Sequence, residues 1–179
     1  STAVAAQTAT DRETSLRRAI AWQVALDRIG LSPGLIDGSI GFKTRLATTE
    51  FQRVRGLPQT GELDAATATA LRIDPDNVLG RYTIEPVDFQ EIGPVPKTWI
   101  GKSQLKRLGH ESLEEALAEK FQCTRGLLAT LNPGKSLNSL KSGDKVVVPI
   151  LPPTEIAGQA AYVEVNLAEK VVRVIDESK

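Results

Sequence analysis

The chain has 179 residues, 41% of them hydrophobic, which is enough for one ordinary domain or two small ones with a real core. Its 22 acidic and 22 basic residues cancel, so no global positive field gathers nucleic acid or an anionic membrane without a local patch. No apolar run reaches the roughly 18 residues of a transmembrane segment, and the single cysteine, Cys123, leaves no internal disulfide and no thiolate metal cluster.

Residues 1–14 are Ala/Thr-rich and weakly patterned, and are expected to form a flexible terminus. Leu16, Ala19, Trp22, Leu26 and Ile29 recur at spacings of three and four, which predicts a helix from about residue 15 to Gly30 with these side chains inward. Ala47, Phe51 and Val54 predict a second helix that stops at Gly56, and residues 64–71 a third, short and alanine-rich one. Three helices over 15–73 can share one small core, with Trp22 and Phe51 as its largest groups.

The connections carry an internal repeat. The segment from Gly38 to Ala47 recurs 23 positions later from Gly61 to Ala70, both fitting G-x-[I/L]-[G/D]-x-x-T-x-x-A. Gly38 and Gly61 suit positive φ in a turn, the apolar residue after them returns to the core, and Gly41 or Asp64 takes the helix N-cap. Thr44 and Thr67 are expected to bond back to those caps. Asp37, Gly38 and Gly41 read as turn and cap and not as a calcium loop, because alternate oxygen ligands and a closing Glu are missing.

Residues 74–80 read as a turn-rich linker, and Arg81 to Glu85 as a short strand. A Pro/Gly-punctuated stretch over about 86–111 has no clear period. Ser112 and Glu115 make a capping box for a helix reaching Phe121, and a second helix runs from Thr124 to Leu131 before Asn132-Pro133-Gly134. Lys145 to Pro149 reads as a strand that pairs antiparallel with the first, both helices lying on one face, so that 81–150 forms one module. After a stiff linker over 151–160, Tyr162 to Asn166 and Val171 to Ile175 form a hairpin about a turn at 167–170. The fold class expected is therefore α+β, mainly α, with a three-helix module, a βααβ module carrying a long insertion, and a terminal β-hairpin.

Cys123 lies between two predicted helices with no base beside it in sequence, so it reads as a structural thiol; His110, the only histidine, reads as a solvated loop residue. No catalytic residue, metal or cofactor is expected. Arg45, Gln52 and Arg53 on the second helix could meet peptide carboxylates or glycan hydroxyls. Among eight aromatic residues, Tyr82, Phe89 and Trp99 are the candidates for exposure, and Asn132 and Lys135 are further candidate contacts. Trp99 is expected to pack the insertion onto its module, with sugar stacking as the alternative.

Trp22-Gln23 with Leu26, Asp37-Gly38-Ser39-Ile40-Gly41 with Thr44, Phe51-Gln52, and Leu57 followed by Gly61, Asp64 and Thr67 resemble the peptidoglycan-binding domain 1 family over nearly all of 15–73. Trp22 stands where that family usually has leucine. The resemblance implies a three-helix fold that binds peptidoglycan glycan strands or stem peptides. Leu113 to Phe121, Leu127, Leu128, Leu131-Asn132-Pro133 and Gly143 to Pro149 look like the later half of a LysM domain, with Tyr82-Thr83-Ile84 as its first strand. About 26 residues stand where LysM has a short turn, an insertion that a surface loop tolerates. Residues 161–179 are similar to the first strands of a truncated L,D-transpeptidase domain of the YkuD type, whose histidine and Ser-His-Gly-Cys signature this sequence lacks.

Together the resemblances imply a monomeric, non-catalytic region that targets a secreted L,D-transpeptidase, a cofactor-free cysteine acyl transferase, to peptidoglycan in the periplasm or cell wall. Nucleic acid is not an expected partner. The alternatives are a stand-alone wall-binding or structural protein, whose last strands complete the LysM-like sheet, and the targeting region of a peptidoglycan hydrolase.

Overall fold

The computed structural model describes residues 2–151 and 159–176, so most of the linker expected over 151–160 lies outside the described residues. Helix α1 spans Thr2–Arg28 and starts well before the expected residue 15. Alanine favours helix there, and the exposed face is braced by Gln7 donating to Asp11 at 3.4 Å and Arg17 to Glu13 at 3.1 Å. Helix α2 (Phe42–Arg55) stops at Gly56, whose φ of 65° turns the chain out of the helix. Helix α3 (Ala65–Leu71) is capped by Asp64.

Helix α1 serves two cores. Trp22, Ala25 and Leu26 meet Ala47, Phe51 and Leu71 in a small core between the first three helices. On the neighbouring face, Ile20, Ala21 and Val24 join Ile36 and the apolar interior of the second module. Ile29 and Val54, both expected inward, are 44% and 58% exposed, because each apolar stripe runs a turn past the end of the small core.

The second module runs through a 3-10 turn (Pro75–Asn77), strand β1 (Leu79–Thr83), a second 3-10 turn (Pro86–Phe89) and helix α4 (Trp99–Ser103). Helices α5 (Leu113–Lys120) and α6 (Arg125–Leu131), a third 3-10 turn (Leu137–Ser139) and strand β2 (Lys145–Pro149) complete it. β1 and β2 pair antiparallel, with Leu79 opposite Pro149 and Thr83 opposite Lys145. Ser112 caps α5, accepting from the Glu115 N–H at 3.2 Å, while Glu115 accepts from the Glu111 N–H. Residues 74–80, read as a linker, carry Val78 at 3% exposure inside the shared core. A short parallel bridge adds to the join: the Ile36 N–H donates to the Gln122 carbonyl and the Thr124 N–H to that of Ile36, both at 2.9 Å. Each of Ile20, Val24 and Ile36 buried there contributes about 1.5–3 kcal/mol.

Strands β3 (Ala160–Asn166) and β4 (Val171–Asp176) form a hairpin with Val163 opposite Val174 and Val165 opposite Val172. The two sheets are separate, so the hairpin does not complete the β1–β2 sheet, contrary to that alternative. The four valines share one open face, each more than half exposed, and β4 turns Arg173 of the other face onto α2.

Candidate functional site

Two buried glutamines build the turns of the first module. Gln23 and Gln52 follow the large aromatics Trp22 and Phe51 and have almost no exposed surface. Gln23 Oε1 accepts from the N–H groups of Asp37 and Gly38 at 3.2 and 2.9 Å, while its Nε2 donates to Asp37 Oδ1 at 2.8 Å and the Ser39 carbonyl at 3.1 Å. Gln52 repeats the device one helix later: Oε1 accepts from the Gly61 N–H at 2.9 Å, and Nε2 donates to Thr60 Oγ1, Thr67 Oγ1 and the Glu62 carbonyl at 3.0–3.1 Å. Gly38 and Gly61 take φ of +72° and +69°, and a Cβ on Gly38 would stand 2.3 Å from Leu16 Cδ1. Gln52, read from sequence as a ligand contact, therefore holds a turn and is shut off from the surface.

At the caps, Asp64 Oδ1 accepts the Thr67 N–H at 2.7 Å, and the bonds from Thr67 hold this carboxyl below its ordinary pKa. Thr44 does not bond back to its cap, since Gly41 offers no side chain; its hydroxyl lies 3.5 Å from Gln23 Nε2.

On the outside, α2 aligns Phe42, Arg45, Thr49 and Arg53 at helical spacings of three, four and four. Arg45 pairs with Glu62 of the second turn, and Arg53 with Glu50 at 3.0 Å; each arginine side chain keeps nearly half its surface. Two guanidinium groups about 12 Å apart along the axis can meet carboxylates or hydroxyls of an extended polymer. From β4, Arg173 grips Glu50 through Nη2 at 2.7 Å and Nε at 3.2 Å, and also bonds Glu164 and Glu169. The Arg173 bonds chiefly hold the Glu50 carboxyl below its ordinary pKa, against a smaller opposing push from burial. Lys170 lies 5.7 Å from the Phe42 ring centre. Phe42, 63% exposed, escaped the sequence reading because large apolar residues were assigned to the core. Its place directly after the Gly41 cap, ahead of the buried Thr44, Ala47, Thr48, Phe51 and Gln52, was the available signal.

In the second module the expected contacts are occupied by the fold. The Tyr82 hydroxyl donates to Asp88 Oδ2 at 2.7 Å, and Lys120 Nζ donates to that hydroxyl at 2.6 Å and to Asp88 Oδ1 at 2.7 Å. Burial pushes the Asp88 carboxyl up, but bonds from Lys120, the Glu85 N–H and Tyr82 outweigh it and leave the pKa lowered. Burial likewise opposes charge on Lys120, and its bonds to Asp88 and Tyr82 prevail and raise its pKa. Tyr82 is thus part of a clasp that ties the Pro86–Phe89 turn to α5. Asn132, 3% exposed, joins α6 to β2 by donating to the Leu128 and Val147 carbonyls and accepting the Val147 N–H at 2.8–2.9 Å. Lys135 donates to the Lys145 carbonyl, and Phe89 is 37% exposed.

Trp99 does not pack the insertion onto its module: it is 86% exposed. The insertion is held at its neck, where the His110 N–H donates to Glu91 at 2.8 Å, the Gly93 N–H to His110 at 2.9 Å, and Ile92 rests on the larger core. The neck is close enough that a Cβ on Gly109 would stand 2.3 Å from the Glu91 carbonyl oxygen. That pairing also explains why His110, expected in solvent, keeps only 16% of its side-chain surface, with Nδ1 3.8 Å from Glu119.

Cys123 is 2% exposed, and burial pushes its thiol up to about 11, which suits a core residue and not a nucleophile. Among the described residues no three His, Cys, Asp or Glu side chains converge as a metal site, and no helix is long and apolar enough to cross a membrane. A shallow concavity of about 390 Å³ lies beside Asp11, Ser15 and Gly38, and another of about 260 Å³ lies at the insertion neck beside Ile92, Leu105 and Gly109. Neither is lined by Arg45, Gln52, Arg53, Tyr82, Trp99, Asn132 or Lys135.

Residues 18–71 match the family model described as a putative peptidoglycan binding domain. The matched span runs from within α1 to the last residue of α3 and encloses the small core, both glutamine-held turns and the α2 ridge. It supports a peptidoglycan-binding domain there, with peptidoglycan as the partner and the cell wall as a consistent place of action. No curated protein matches the chain.

Proposed function

We propose that the chain is the wall-targeting region of a secreted L,D-transpeptidase, holding peptidoglycan through the ridge of α2 while the chemistry is done elsewhere. The observation that carries it is the family match over 18–71. The βααβ order of the second module and the alternating terminal hairpin, which resemble a LysM domain and the opening of a YkuD-type domain, support the finer reading. So does the open valine face of the hairpin, an apolar surface of the kind a further layer covers. Tethering of this kind raises the effective substrate concentration at an attached catalytic unit. On the ridge, Arg45 and Arg53 are the contacts to peptide carboxylates or sugar hydroxyls, and Phe42 adds an apolar platform.

Co-sedimentation with purified insoluble peptidoglycan, with chitin as the comparison, tests the binding. Retention on peptidoglycan, weakened on the order of tenfold by replacing Arg45 and Arg53 together with alanine, is the expected result. Retention on neither polymer sinks the reading, and retention on chitin alone moves the site to the second module.

A further inference from the structure

The insertion ends in a tip whose composition differs from the rest of the chain. Residues 92–110 contain Lys97, Lys102, Lys106 and Arg107 and not one Asp or Glu, in a protein whose 22 acidic and 22 basic residues balance only over the whole chain. Only Arg107 has a carboxylate partner, Glu91; among the described residues the three lysines have none. Beside these cations stand Trp99, Ile100, Leu105 and Leu108, exposed by 86%, 74%, 40% and 55%. Thr98 caps α4, accepting from the Gly101 N–H at 3.1 Å, so Trp99 and Ile100 sit on the outer turn of the tip, with Lys102 5.4 Å from the Trp99 ring centre. The neck formed by Glu91, Gly93 and His110 closes the loop, and none of these four hydrophobic side chains of the tip joins either core.

We propose that this tip docks on an anionic lipid surface. Tryptophan and aliphatic side chains gain by entering the interfacial zone of a bilayer while lysines remain with lipid phosphates, and both components are present in one closed loop. A sugar fits less well, because the stacking ring is flanked by Ile100 and lysines and not by convergent carboxylate or amide side chains. The inference is independent of wall binding, which rests on residues 18–71.

The chain contains two tryptophans, and the other, Trp22, is buried with Nε1 bonded to Thr48 at 2.9 Å, so emission changes on docking report Trp99. The test mixes the chain at low salt with vesicles of phosphatidylcholine holding about 30% phosphatidylglycerol, and with pure phosphatidylcholine vesicles. Expected are co-sedimentation with the anionic vesicles alone, a blue shift and acrylamide protection of Trp99, and reversal by salt. Each of Lys97→Gln, Lys102→Gln and Lys106→Gln should lower partitioning roughly fivefold. Trp99→Ala combined with Ile100→Ala should lower it on the order of tenfold or more, with circular dichroism unchanged. No sedimentation with anionic vesicles, equal binding to neutral ones, or binding without a change at Trp99 overturns the proposal. Capture by a lipid-free polyanion such as polyglutamate, with vesicles ignored, also overturns it and assigns the tip to a soluble acidic partner.

Discussion

Replacing Gln23 by glutamate exchanges one buried NH2 group for oxygen and keeps nearly the same shape. In the native protein that NH2 donates to Asp37 Oδ1 at 2.8 Å and to the Ser39 carbonyl at 3.1 Å. In Gln23→Glu at neutral pH, both bonds become oxygen facing oxygen, one of them carboxylate against carboxylate. Losing two buried bonds of this kind costs about 2–5 kcal/mol, a large share of the roughly 5–15 kcal/mol that holds a domain together. The other oxygen still accepts from Asp37 and Gly38, so the turn retains its template. Protonation restores the donor. The new carboxyl therefore has a folded-state pKa above its unfolded value, and the lost stability returns as pH falls through that raised pKa. Gln52→Glu meets no carboxylate, and the Thr60 hydroxyl can rotate to donate to it, so its cost is smaller, about 1–2 kcal/mol. Urea unfolding followed by Trp22 fluorescence at about pH 7.5 and pH 4.5 measures both variants. A Gln23→Glu protein as stable as the native one at the higher pH, or one that loses further ground on acidification relative to it, would refute the reasoning.

Other consequences can be tested separately. Lys120→Ala leaves the nearly buried Asp88 carboxylate without its cation and should lower stability by about 1–3 kcal/mol. Because the Asp88 pKa is depressed, that contribution is present at neutral pH and fades as pH falls through the depressed value, so native and variant melting curves should converge in acid. Arg173→Ala or Glu50→Gln should free the hairpin from α2, seen as faster amide exchange in β3 and β4; unchanged exchange would show that this ion pair does not hold it. In the native protein the same contact should loosen as pH drops below the ordinary carboxylate range, since the Glu50 pKa is lowered. Cys123 should react with a disulfide reagent only as fast as the protein opens, with Cys123→Ala still retained on peptidoglycan. Rapid native labelling would contradict its burial.

Periodicity exposed much of the fold. Trp22 and Phe51, the Gly56 stop, the Asp64 and Ser112 caps, and the β3–β4 hairpin follow from local rules that act within a few residues, and the pairing of β1 with β2 follows from the order of the elements between them. What escaped depends on contacts far apart in sequence. Nothing local says that α1 has a second apolar face, because Ile20, Ala21 and Val24 read as filler until Leu127 and Leu128 arrive from α6. The role of Gln52 was hidden for a related reason: a polar residue on a helix reads as surface unless the turn it satisfies is already placed. Asn132 and Tyr82 were misread in the same way. Trp99 failed in the opposite sense, since hydrophobicity suggests burial and only the structure shows the ring exposed and joined to neither core.

The core shared by α1 with both modules makes them a single mechanical unit. Unfolding either half strips the apolar cover from the other, so one cooperative transition is expected in place of two. It also means that a polymer held on α2 and the neck from which the Trp99 tip extends would be kept at a fixed spacing and angle, as by the two jaws of a caliper. A flexible tether could raise local concentration, but it could not set such a gauge.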